Sequence, residues 1–155
     1  MTGIRGFSLG TLAAVFALFV STQSVFAEHL DRHEIRHLAR QIEERNDELI
    51  DRIEGWVEER HDERAELTSE LDRHVDRFEL ALDEFKARLI DHDEPWEVRE
   101  QAQSVVVAAD ALGRHIEHAD YLPEEIRAHW HELHQSVREL AHHYHVEIVG
   151  EGIER

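Results

Sequence analysis

Between Glu28 and Val149 apolar residues return every three or four positions, and only Pro95 and Pro123 interrupt the run. That spacing places the apolar side chains along one stripe of a helix, whereas a half-buried strand would alternate every second residue. No segment alternates in that way, so the chain is expected to be all-α.

Four stripes can be separated. The first carries Leu30, Ile35, Leu38, Ile42, Leu49, Ile53, Trp56 and Val57, broken by Asn46-Asp47 and by Gly55, which costs a helix roughly 1 kcal/mol. Its end falls within residues 60–67, where no Gly or Pro marks a turn. The second carries Leu71, Val75, Phe78, Leu82, Phe85 and Leu89, predicting a helix from Ser69 to about Asp91 with Thr68 as its N-cap. The third starts near Pro95, a favoured first-turn residue, and aligns Val98, Ala102, Val105, Ala109, Leu112, Ile116 and Ala119. The fourth starts near Pro123, with Glu124 and Glu125 complementing the positive end of the helix dipole. It presents Ile126, Trp130, Leu133, Val137, Leu140 and Tyr144. Four amphipathic helices joined by short loops predict an antiparallel up-down-up-down four-helix bundle over residues 28–149, with 150–155 as a flexible tail.

The bundle is expected to be preceded by a signal peptide at residues 1–27. Arg5 gives a positive start, Leu9 to Val20 an apolar run, and Val25-Phe26-Ala27 the small residues of a cleavage site before Glu28. An uncleaved anchor from Phe7 to Phe26 is the alternative. Cleavage would release a soluble periplasmic protein with no membrane attachment. No lipid-modified N-terminus can form, because the chain has no cysteine. The same absence excludes disulfides, thiolate zinc sites, covalently attached haem and cysteine nucleophiles.

Charge narrows the partners. The 155 residues hold 17 lysines and arginines against 35 aspartates and glutamates, a formal charge of -18. Such a surface repels phosphate backbones, so nucleic acid is not an expected partner, while cations and basic proteins are attracted. An acidic, lysine-poor surface, with Lys86 the single lysine, is equally what a saline habitat would favour.

The chain carries 14 histidines, and an up-down bundle would gather them at its two poles. One pole would hold His29, His33, His37, His92, His142, His143 and His145. The other would hold His61, His74, His115, His118, His129, His131 and His134. His29, His33 and His37 follow one another at i, i+4, i+8, so adjacent pairs share a helix face and can chelate one ion. Folding the third helix onto the fourth is expected to bring His115 and His129 side by side, with His118 one turn from His115 and Glu125 or Glu132 near. Imidazole suits zinc, copper and nickel. The competing expectation for each cluster is a solvated helix face, or histidines covering apolar surface at a helix seam.

No enzymatic constellation accompanies them. Carboxylates lie at helix-solubilising spacings, and there is no Gly-rich phosphate loop. Glu34/His37, Glu58/His61 and Glu139/His142 match the Glu-x-x-His of di-iron bundles in letters, yet they fall off the apolar stripes and so would not project inward. The sequence therefore suggests a non-enzymatic exported bundle that binds divalent transition-metal ions through its histidine clusters. The alternative is a periplasmic interaction or chaperone-like module, monomeric or a homodimer, whose acidic surface contacts a basic partner. Fourteen groups titrating near pH 6.5 would make that surface pH-responsive.

Overall fold

The computed structural model describes residues 31–59 and 65–147. The signal-peptide expectation, the tail at 150–155, and the histidines at 29 and 61 lie outside the described residues. Within them there are four long helices and no strand. These are α1 (Arg32–Glu58), α2 (Ala65–Asp91), α3 (Arg99–His118) and α4 (Glu124–Tyr144), with a 3-10 turn at Pro95–Val98 leading into α3. None of these helices is long and apolar enough to cross a membrane.

Every residue expected on the second, third and fourth stripes is buried, as are Ile35, Leu38, Ile42, Leu49, Ile53 and Trp56 of the first. They form one core. Among the described residues of that stripe the exception is Val57, which is left exposed in the last turn of α1, and Leu30 lies outside the described residues. Helix α1 passes through Gly55 without ending, and Asp31 caps it by accepting the His33 backbone N–H at 2.8 Å. Helix α2 starts at Ala65 rather than Ser69, so Thr68 lies within its first turn instead of capping it. The difference is physical: with no Gly or Pro to stop it, the chain continues the helix upstream of the first buried stripe residue.

The helices pack in a ring, α1 on α2 and α4, and α3 on α2 and α4. Along the α1–α4 seam, Glu34 meets His143, Arg45 meets Ser136 and Arg52 meets Glu125, so numbers fall on α4 as they rise on α1. Arginines from neighbouring elements close three helix ends. Arg32 reaches the Leu89 and Ile90 carbonyls of α2, Arg127 donates to the Ala119 carbonyl after α3, and Arg99 donates to the Tyr144 and His145 carbonyls of α4 at 3.0 and 2.9 Å. The last carbonyls of a helix have no intrahelical donor and carry its negative pole, and a guanidinium answers both needs. At the end of α4, His145 takes a left-handed conformation with φ 49°, and the Val146 N–H turns back to Ala141.

Candidate functional site

Two adjoining helices bring histidines together. On α2, Glu70 and His74 are four residues apart; on α3, His115 and His118 are three apart, so each pair lies on one helix face. All four side chains line one cavity of about 480 Å³, with Arg114 and Tyr121 as its other polar members. The His74 and His115 rings face each other across the helix interface with centroids 5.3 Å apart.

The hydrogen bonds around them show which ring nitrogens are already engaged. His115 Nε2 shares a hydrogen bond with the Tyr121 hydroxyl at 3.0 Å, leaving Nδ1 as its second ring nitrogen. His118 Nδ1 donates to the Arg114 carbonyl at 2.7 Å, so in the neutral ring Nε2 carries the lone pair. His74 Nδ1 is buried and has no hydrogen-bond partner. Burial holds the His74 pKa below its ordinary value, with His115, Arg73 and Arg77 adding to the effect and Glu70 opposing it. The neutral ring, the form that can ligate a metal, is thus favoured. Tyr121 in turn stacks on Trp56 of α1, centroids 5.9 Å apart, which ties the cavity rim to the end of the first helix.

His115 therefore finds His74, and His129 is not among the cavity's lining residues. The reason lies two residues earlier. Gly113 and His115 point about 200° apart around the helix, and Gly113 is occupied against Trp130 of α4: a Cβ there would come 2.5 Å from the indole Cζ2. With the α4 flank of α3 filled by that indole, His115 lies on the opposite flank and meets α2. Chain position alone assigns His74 to this pole; its flanking place beside the Leu71–Val75–Phe78 stripe is the only sequence sign that it meets α3.

At the other pole, His33 and His37 are exposed on successive turns of α1. His143 Nε2 lies 3.8 Å from Glu34 Oε1, so the start of α1 and the end of α4 do meet. His92 Nδ1 lies 3.2 Å from Glu97 Oε2, and the His142 ring adjoins those of His143 and His145 at 6.3 and 6.2 Å. Among the described residues no three His, Asp or Glu side chains are already gathered as a metal-ion ligand set. Histidine rings thus adjoin as the His74–His115 pair between α2 and α3 and around His142 at the end of α4.

Comparison of the chain with protein-family models, with curated proteins and with solved structures gave no match.

Proposed function

We propose that this chain is an exported, non-enzymatic, antiparallel up-down-up-down bundle that binds divalent transition-metal ions between α2 and α3. The observation that carries this reading is the His74–His115 pair, two imidazoles from neighbouring helices facing one cavity at 5.3 Å between centroids. His118 and Glu70 stand on the same lining, one turn from each, and supply the third and fourth donors. Imidazole-rich sets favour zinc, copper and nickel over calcium or magnesium. Tyr121 acts as the outer partner that orients His115 while its Nδ1 turns to the ion.

The four donor side chains do not converge on one point, so binding needs rotation of His118 and Glu70, and Arg114 on the lining opposes a cation. The net charge of -18 works the other way, raising the local cation concentration. Micromolar affinity, rather than the much tighter binding of a preformed structural site, follows from those opposing terms.

The antiparallel order is supported by the pairs along the α1–α4 seam, and export by the leader-like composition of residues 1–27. Calorimetric titration of the full chain with zinc, copper and nickel at neutral pH tests the metal reading. One saturable site is expected, weakened at least tenfold by His74→Ala or His115→Ala and left intact by His129→Ala. Absence of saturable heat, or binding indifferent to His74 and His115, overturns it.

A further inference from the structure

Helix α2 carries a second apolar stripe on the side away from the core. Leu80, Ala87 and Ile90 follow one another at spacings of seven and three, the intervals of a helix–helix seam, and all three are exposed. Leu80 and Ile90 are each 70% exposed, the largest values among the exposed large apolar side chains, and Trp96 at the following turn is 54% exposed. A helix that has already buried one stripe gains nothing from a second unless something covers it.

Charge identifies what would cover it. Leu80 lies among Asp76, Glu79, Asp83 and Glu84, and the hairpin around Trp96 adds Asp91, Asp93, Glu94 and Glu97. Burial first, then Asp76, Asp83, Asp47 and Glu54, hold the Glu79 carboxyl at the edge of this face above its ordinary pKa. The one lysine is engaged by Glu43 and Asp83, Arg32 of α1 is held by Asp93 and the Leu89 and Ile90 carbonyls, and His92 pairs with Glu97, which leaves Arg77 and Arg88 as the remaining basic residues on this stretch. A second copy of a chain with formal charge -18 would be repelled, as would an anionic membrane surface.

We propose that the outer face of α2, from Leu80 through Ala87 to Ile90, docks a cationic amphipathic helix of a partner protein, with the exposed Trp96 of the following 3-10 turn as its neighbour in the chain. The partner lays its apolar residues along the Leu80–Ile90 stripe and its lysines or arginines against the flanking carboxylates. The stripe is about 15 Å long at 1.5 Å per residue, matching roughly three turns of the incoming helix. None of the four proposed metal donors lies on it, so this surface and the metal site stand or fall separately.

The test uses the full chain and a synthetic amphipathic helix of about five turns, with leucine on one face and lysine on the other. Saturable binding is expected, with a blue shift of Trp96 emission that Trp96→Phe removes. The double variant Leu80→Ser/Ile90→Ser should bind at least tenfold more weakly; both positions are so exposed that folding is retained. Asp83→Asn/Asp91→Asn should weaken binding more than the charge-matched Glu132→Gln/Glu139→Gln on α4. Equal weakening by the two charge pairs, with Leu80→Ser/Ile90→Ser unaffected, would reduce the binding to bulk attraction and overturn the proposal. Sedimentation that finds a dimer of the chain alone, dissolved by Leu80→Ser/Ile90→Ser, would assign the face to a second copy and overturn it equally.

Discussion

The indole of Trp130 lies over Gly113 so closely that a Cβ at that position would sit 2.5 Å from Cζ2 and 3.3 Å from Nε1. Trp130 is among the largest fully buried side chains, and it comes from a different helix, so neither partner can move without disturbing the core. Gly113→Ala sets two effects against each other. Helix propensity favours alanine by about 1 kcal/mol, whereas overpacking a filled core costs about 1–3 kcal/mol. A net loss of about 1 kcal/mol is expected by urea unfolding; a gain would show that the indole yields freely.

Asn46 is 2% exposed in the middle of α1, and its Oδ1 accepts no hydrogen bond. A buried acceptor left unsatisfied costs about 1–3 kcal/mol, which leucine of similar size would not incur. Asn46→Leu should therefore raise the urea midpoint with an unchanged slope. If stability falls instead, the amide is holding the helix register in the way a polar core residue holds a coiled coil.

Glu79 gives the clearest pH dependence. Its folded-state pKa is raised above the ordinary 4.5, by burial and then by Asp76, Asp83, Asp47 and Glu54. A carboxyl raised on folding contributes stability that is fully present below the unfolded value and lost as pH rises through the folded one. Glu79→Gln should thus stabilise the protein at neutral pH by roughly 0.5 kcal/mol, the scale of like-charge pairs on a helix. The gain should vanish toward pH 4. Thermal unfolding measured at the two pH values checks it, and an equal gain at both would rule out the electrostatic cause.

Arg99 holds the last carbonyls of α4, donating from Nε to Tyr144 and from a terminal nitrogen to His145. Two charge-assisted bonds from one planar fork are not reproduced by an ammonium. Arg99→Ala is expected to cost about 1–3 kcal/mol, with Arg99→Lys recovering only part. Faster amide exchange confined to the last turn of α4 would locate the effect.

The residues that say most about the division between sequence and tertiary structure are the stripe residues, Gly113, His115 and His74. Spacing alone places Leu71, Val75, Phe78, Leu82, Phe85 and Leu89 inside, because a helix turning 100° per residue lets apolar side chains every three or four positions share one side whatever they pack against. Helix ends are less legible. The start of α2 at Ala65, ahead of Thr68 and Ser69, is marked by no Gly or Pro in the sequence. Pairing on the flanks is not legible at all, since α3 touches both α2 and α4 and a residue beside the stripe can face either neighbour. The sequence by itself determined four helices, their buried faces and a supply of histidines. Only the tertiary structure decided that His115 meets His74 rather than His129, because the Trp130 indole fills the space over Gly113 and closes that flank of α3.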